Sequence, residues 1–301
     1  ETLGGFNPSY IPESEIALHE KLALEQKTKQ LGYEDHPAYT YRAAEMLKEP
    51  CEKVWGYPYA DQVMGCHMAN PTKIFRAMAK GDPYPVKAFF VLGNNALMSY
   101  PNQQQILEGM MNQDLIVTHE LFMTPTAMLS DYVLPGDAFS ERNHIADSWS
   151  WTTRLTLSQK VVEPPEEASS TFQFWRELAL RFGFDNHFPW NTLEEMLDYR
   201  LSRSDRTFEE FESQGFMEVP APEFRKYRKT GFATPSGKVE LYSSVLEEMG
   251  FDPLPYHRAG PAVSEEYPYL VFTGVREDPF FQTGQRNIKE LRDRCPLPSD
   301  P

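Results

Sequence analysis

The sequence predicts an α/β protein built around a parallel sheet, with additional mixed α+β segments. Three observations in residues 87–141 carry this reading. Lys87 to Leu92, Leu115 to Val117 and Tyr132 to Leu134 are short apolar runs of strand length. Gln103 to Asn112 lies between the first two and spaces Ile106, Leu107, Met110 and Met111 at helical intervals. Strands alternating with helices imply parallel pairing, with helices on both sheet faces. Polar residues border each run. The first ends in Gly93-Asn94-Asn95, the second in Thr118-His119-Glu120, and the third follows Asp131 and is closed by Pro135. In such sheets ligands bind beyond the carboxyl ends of strands, so these polar residues are the ones a ligand would meet.

Upstream, Glu13 to Leu31 reads as a helix, with Ile16, Leu22 and Leu24 among many charges. Tyr41 to Leu47 is helical in pattern, and Gly56-Tyr57-Pro58 marks a turn. Asn70 is placed to cap a helix with Pro71 at its first position, Phe75 and Met78 on its face and Gly81 as its stop. Downstream, Ser148 to Val162 alternates Thr, Leu and Val and reads as extended. Glu163-Pro164-Pro165-Glu166-Glu167 is a linker or turn. Ser170 to Phe182 reads as a helix with Phe174, Leu178 and Phe182 on one face, ended by Gly183. Thr192 to Leu201 and Arg206 to Gln214 are further short helices, and Met217 to Thr230 reads as irregular. Val239 to Ser243 is an expected strand, Ser244 to Met249 a helix ending at Gly250, and Tyr269 to Thr273 another strand.

Composition narrows the function classes. A chain of 301 residues accommodates one large or two ordinary domains with ample core. A formal net charge of −15 argues against nucleic acid, whose phosphates need a basic footprint. It argues equally against an anionic membrane surface, and is read as a solubility charge. No apolar run is long enough to span a bilayer. The expected state is soluble, with the cytoplasm and the periplasm equally open. The three cysteines, Cys51, Cys66 and Cys295, form no C-x-x-C pair, so they read as free thiols and indicate no iron–sulfur cluster. Cys66-His67 has no partners at ligand spacing, and no metal ligands are assigned. No Ser-His-Asp order, phosphate-binding Walker loop or H-E-x-x-H motif is present, and no catalytic residue is assigned.

Several polar residues have two readings. Gly93 lets backbone approach a ligand closely, and the Asn94 and Asn95 amides can donate and accept; Gly-Asn is also a common turn pair. Glu120, at a strand end, could accept two hydrogen bonds from a ribose diol, or be a solvated loop acid. Asp131, expected with Glu120 at the ends of adjacent parallel strands and so in the same crevice, could face the two adjacent donors of a guanine edge, or cap or terminate a helix over Thr124 to Ser130. His119 reads as a polar loop residue, since no second His lies at ligand spacing.

Taken together, the motifs resemble a known family. They are Gly93-Asn94-Asn95 with Pro101-Asn102, then Ile116 to Ala127 in the pattern I-V-x-x-E-x-F-x-T-x-T-A, then Ser130-Asp131-Tyr132-Val133-Leu134-Pro135 and Glu141. Later come Phe232 to Ser243 with its T-P-S-G-K core, Tyr267 to Arg276, and Gln282-Thr283-Gly284-Gln285-Arg286. Pro71 to Phe75 and Gly81 to Lys87 also fit. In this order they are similar to the molybdopterin oxidoreductases of the dimethyl-sulfoxide-reductase class, from about Pro71 to the end.

The resemblance implies a fold and a set of partners. Residues 86–185 would be a parallel-sheet dinucleotide-binding lobe, residues 1–85 the end of a preceding α/β domain, 186–265 a helical and irregular connector, and 266–301 the start of a C-terminal cofactor-binding domain. The chain would be a fragment of a larger enzyme, without turnover alone. An incomplete sheet with an exposed apolar edge would favour self-association. The implied cofactor is bis-molybdopterin guanine dinucleotide with Mo or W, with an iron–sulfur cluster in a part outside this chain, a small-molecule substrate and an electron-transfer subunit as partner. The implied cofactor-binding residues are Gly93, Asn94, Asn95, Ser99, His119, Glu120, Thr124, Asp131, Glu141, Arg276, Gln282, Thr283 and Arg286. The departures are Ala96 where the family has Pro, His119-Glu120 for Gln-Asp, Asn143-His144-Ile145 for Glu/Asn-Gly-Thr, Gln282 for His and Thr283 for Ser. A non-redox member of the family, such as a hydratase, fits the same residues. A stand-alone α/β nucleotide-binding or scaffold module is the third reading.

Overall fold

The computed structural model describes residues 22–37, 40–55, 69–146, 154–204, 206–218, 224–257, 259–260, 263–270 and 288–294. Its centre is a parallel sheet of three strands, β1 (Ala88–Leu92), β2 (Leu115–Glu120) and β3 (Tyr132–Pro135), in that spatial order. The register sets Ala88 against Leu115 and Val117 against Tyr132. The α/β reading therefore holds.

Before the sheet come α1 (Leu24–Lys27), α2 (Tyr41–Trp55) and α3 (Pro71–Lys80). The expected helix from Glu13 to Leu31 is one short turn where it is described; residues up to 21 lie outside the described residues. Helix α2 runs further than expected and carries Pro50 inside it. Proline gives up one ladder bond there. Burial of Ala44 and Cys51, with Ala233 packed alongside, accompanies the longer helix. Helix α3 is as its residues dictate. Asn70 Oδ1 accepts from Lys73 N–H at 3.2 Å, Pro71 occupies the first turn, and Gly81 closes the helix at φ 69°.

Two helices follow β1: the short α4 (Ala96–Ser99) and α5 (Gln103–Met111). Helices α3 and α5 together cover one face of the sheet. Phe75, Met78, Ala96, Ile106, Met110 and Ile116 form that core, with Phe89 packed beside them. Gly109 makes the approach possible, because a Cβ there would lie 3.0 Å from Met78 Cβ and 3.3 Å from Phe75 O. The opposite face is covered by α6 (Thr171–Arg181), whose Phe174 and Trp175 rings pack tilted against Phe90 with centroids 6.1 and 5.9 Å away. Side chains alternate across a strand, so Phe89 meets α3 and α5 while Phe90 meets α6. Ser170 caps α6 in a reciprocal box with Gln173. Of the face expected on this helix, Phe182 is exposed.

A second, antiparallel sheet orders β4 (His144–Ala146), β5 (Arg154–Ser158) and β6 (Phe216–Glu218). It packs on α7 (Leu193–Leu201) and α8 (Phe208–Gln214) through Ile145, Leu155, Leu197, Leu201, Phe211 and Met217. Two expectations are corrected. Met217 to Thr230 was expected to be irregular, yet it begins within β6 and ends in a short helix, α9 (Tyr227–Thr230). Val239 to Ser243 was expected as a strand, but is not one. It follows a tight loop in which Phe232 N–H donates to Gly237 O at 2.9 Å. Only glycine fits at 231, where a Cβ would stand 2.9 Å from Gly237 O at φ +73°. No strand pairs with the segment among the described residues, and Leu241 is exposed. Helix α10 (Ser244–Glu248) then ends at Gly250, as expected, and α11 (Lys289–Arg294) is the last element among the described residues. Most of Tyr269 to Thr273 lies outside the described residues.

Candidate functional site

The carboxyl ends of β1, β2 and β3 open on one edge of the parallel sheet, where the loops after each strand meet. The first loop is Gly93-Asn94-Asn95. Gly93 turns left-handed at φ +60°, and a Cβ on it would meet nothing within 4 Å, so its backbone faces open space. Gly93 N–H donates to His119 O at 3.0 Å, which fastens the loop to β2. Asn94 Nδ2 donates to Tyr100 Oη at 3.3 Å, while Asn94 Oδ1 is buried with no partner among the described residues. A buried acceptor without a donor is costly. The donor it lacks is the kind that a ligand amine, a hydroxyl or an ordered water supplies.

Asn95 is buried and faces inward. Its Oδ1 accepts from Thr126 Oγ1 at 2.8 Å, and the same hydroxyl accepts from Leu97 N–H at 3.0 Å. Ser99 closes α4, its N–H donating to Asn95 O at 2.9 Å, and its side chain is exposed. Glu120 ends β2, half-buried, with Oε1 accepting from Leu121 N–H at 2.8 Å. That oxygen steadies the loop; the second oxygen has no protein partner among the described residues. Thr124 accepts from Ala127 N–H at 3.2 Å and starts a 3-10 turn over Ala127–Leu129. This turn replaces the short helix expected from Thr124 to Ser130.

Three of the implied cofactor residues, Asp131, His119 and Glu141, have protein partners here. Asp131 precedes β3 and so stands at the amino end of a strand, whereas Glu120 stands at the carboxyl end of its neighbour. Glu120 pairs with Pro135 in register, which puts Asp131 four residues away, roughly 13 Å along the strand. The two carboxylates therefore do not share a crevice. Asp131 Oδ2 instead accepts from Ile116 N–H at 2.7 Å, at the opposite edge of the sheet. His119 is not a loop residue but lies inside β2, buried, facing α6. Its Nε2 is 2.8 Å from Ser169 O, and its ring lies 6.0 Å from that of Phe174. Glu141 Oε2 closes its own turn, accepting from Ala138 N–H at 2.7 Å. His144 lies in β4, paired with Ser158. Arg276, Gln282, Thr283 and Arg286 lie outside the described residues, as do Cys66 and Cys295.

Sequence reasoning missed two features of this edge. Asp137, just beyond β3, is buried against Arg142, whose Nη1 donates to Asp137 Oδ1 at 2.6 Å and to Asp137 O at 2.8 Å. Burial pushes the Asp137 carboxyl above its ordinary range, with Arg142 and then His119 pulling the other way. Thr126 is fully buried beneath the first loop. An acid at a strand end and an Arg five residues on were visible signals for the first. Nothing in sequence marks Thr126 apart from its place in the T-x-T-A run. Among the described residues no cluster of His, Cys, Asp and Glu could hold a metal ion, and no helix is long and apolar enough to cross a membrane.

Comparison with known proteins gives a consistent result. Residues 41–181 match the family model for molybdopterin oxidoreductases. Acetylene hydratase of Syntrophotalea acetylenica is 47% identical over 305 residues, covering 99% of this chain and 42% of that protein. The dimethyl sulfoxide/trimethylamine N-oxide reductase of Cereibacter sphaeroides is 27% identical over 213 residues, covering 63% of this chain and 26% of that protein. Among solved structures, acetylene hydratase from Pelobacter acetylenicus superposes with a TM-score of 0.88 at 46% identity, covering 97% of this chain and 41% of that chain. The chain thus spans about two fifths of the acetylene hydratases and about a quarter of the reductase.

Proposed function

Residues 41–181 of this chain are a molybdopterin oxidoreductase-family segment, and from that premise we propose that it binds the nucleotide end of a molybdopterin guanine dinucleotide. The site is the crevice at the carboxyl ends of β1 and β2, within the lobe of residues 86–185. The described residues fit such a group: open backbone at Gly93, an acceptor at Asn94 without a donor, and a Glu120 oxygen without a protein partner. Gly93 would let the diphosphate come close to the backbone, and Glu120 would accept from a ribose diol. Asn95, Thr124, His119, Asp131 and Glu141 would act from beneath, by holding strand ends and turns in place. Arg276, Gln282, Thr283 and Arg286 are proposed on the phosphate side, where Arg suits bidentate recognition. Bound there, the cofactor would supply a Mo or W centre, and the protein would bind it, orient it and exclude water.

For the whole protein we infer hydration of a small unsaturated substrate. The observation that carries it is the 47% identity to an acetylene hydratase along 99% of this chain. Hydration of acetylene yields acetaldehyde, C2H2 + H2O → C2H4O, with no net electron transfer. The protein expressed in full, with whatever flanks this chain in its gene, should form acetaldehyde from acetylene anaerobically without an electron acceptor. A redox reading remains the second, favoured by relatives named as reductases. It brings in an iron–sulfur path and an electron-transfer subunit. Oxidation of a reduced dye with dimethyl sulfoxide, trimethylamine N-oxide or thiosulfate, and no acetaldehyde, would select it instead.

A further inference from the structure

We propose that Thr126 is the positioning residue of the crevice, setting the Gly93-Asn94-Asn95 loop for the nucleotide through one hydroxyl that touches no ligand. This rests on the proposed nucleotide crevice and adds to it a residue that acts through others. The loop after β1 is the element that must hold its shape, since its backbone would face the ligand. Its own bonds are few. Gly93 N–H is tied to β2, Asn94 Nδ2 holds a long bond to Tyr100 Oη, Asn95 O accepts from the first turn of α4, and the buried side-chain anchor is Asn95.

That anchor ends on Thr126. The hydroxyl donates to Asn95 Oδ1 at 2.8 Å and accepts from Leu97 N–H at 3.0 Å. One group therefore satisfies an acceptor on the loop and a backbone donor in the first turn of α4. The hydroxyl has a single proton, and both of its roles are taken. The relay continues beneath. Ser130 Oγ donates to Thr126 O at 3.2 Å, and Thr118 Oγ1 lies 2.5 Å from Ser130 Oγ, which reaches the middle of β2. Thr118 and Thr126 are fully buried, so water does not compete for these bonds. In such surroundings hydrogen bonds are stronger and a lost partner costs more. The loop after β1 and the turn after β2 are thereby one unit, and the two sides of the crevice are held at a fixed separation.

Thr126→Val is nearly isosteric but has neither donor nor acceptor, so it leaves Asn95 Oδ1 and Leu97 N–H unpaired inside the protein. Thr126→Ser keeps the hydroxyl and loses only a methyl. Met110→Ala serves as the stability control: it opens a cavity in the sheet core, and its side chain takes part in none of the relay's hydrogen bonds. The test is run on the 301-residue chain, with GDP as the probe in titration calorimetry and with amide hydrogen exchange on the ligand-free protein. We expect Thr126→Val to speed exchange at residues 93–97 and to weaken GDP by about tenfold or more. Thr126→Ser should stay within about threefold of the unsubstituted chain. Met110→Ala should lower the melting temperature at least as far as Thr126→Val yet leave both readouts near the unsubstituted values. Unchanged GDP affinity in Thr126→Val, or an equal loss in Met110→Ala, overturns the positioning role while the crevice reading stands. Failure of the unsubstituted chain to take up GDP is a different result, visible before any substitution, and overturns both.

Discussion

Asp131 and Ile116 exchange two hydrogen bonds across the start of the sheet. Ile116 N–H donates to Asp131 Oδ2 at 2.7 Å, and Asp131 N–H donates to Ile116 O at 2.9 Å. The carboxylate extends the ladder between β2 and β3 by one rung at its amino end. It thus acts on the sheet, far from the crevice. Removing it leaves the Ile116 N–H unpaired in a buried strand. Asp131→Ala should cost about 1–3 kcal/mol in urea unfolding. Asp131→Asn, which keeps an acceptor oxygen, should cost less. Neither should change the preference for guanine over adenine nucleotides, and a loss of that preference in Asp131→Asn would return the residue to the binding site.

Asp137 gives the protein a pH signature. Burial raises its pKa in the fold above the ordinary carboxylate range, the Arg142 and His119 charges opposing only in part. The native state therefore holds this proton more tightly than the unfolded chain does. The stabilising contribution is fully present below the unfolded value of about 3.9 and is lost as pH rises through the higher folded value. Asp35 and Glu240, whose pKa values are lowered by Lys73 and by Ser236 respectively, carry the opposite slope, as stability lost on acidification. Asp137→Asn should remove its share, so that denaturation midpoints fall more steeply from pH 7 toward pH 4 than in the unsubstituted chain. An identical pH profile would show that the Asp137 carboxyl titrates alike in both states.

Much of this arrangement was legible in the sequence, and the reasons are local. Asn70, Pro71 and Gly81 bracket α3 because caps and left-handed stops depend on a few adjacent residues. The three apolar runs became three parallel strands because residues 93–114 and 121–131 join them as crossovers rather than as hairpin turns. Strand polarity was the harder step. Asp131 lies before its strand and Glu120 at the end of one, and in a parallel pair those are opposite edges. His119 was misplaced because β2 runs through Glu120, three residues past its apolar part. Val239 to Ser243 has a strand's residues but no neighbour to pair with among the described residues, and pairing is a tertiary property. The Thr126 relay joins residues 31 apart, and no local pattern announces it.

Gly93 separates stability from binding. Its φ of +60° strains any other residue by about 1–2 kcal/mol, while a Cβ there would meet no protein atom. Gly93→Ala should therefore fold with a modest loss in melting temperature. The same methyl would stand where the proposed diphosphate approaches, so GDP binding should fall far more than the stability change accounts for. Equal affinity in Gly93→Ala, measured by calorimetry at a temperature where both chains are folded, would place the nucleotide elsewhere.

Asn94 supplies the sharpest opposition between folding and binding. Its Oδ1 is buried without a donor, and its Nδ2 holds only a long bond to Tyr100 Oη at 3.3 Å. In the ligand-free protein the orphaned acceptor costs on the order of 1–3 kcal/mol, against a weak bond worth about 0.5–1.5 kcal/mol. Asn94→Ala removes both, so the ligand-free chain should be as stable as before or gain about 1 kcal/mol. If a nucleotide donor is what the oxygen awaits, the same substitution should weaken GDP by on the order of tenfold. Groups retained at a stability cost are expected at functional positions. Chemical unfolding and calorimetry on one preparation read both sides at once. A chain destabilised by Asn94→Ala with full GDP affinity would mean that the oxygen is satisfied by an ordered water inside the loop, and Asn94 would then belong to the scaffold alone.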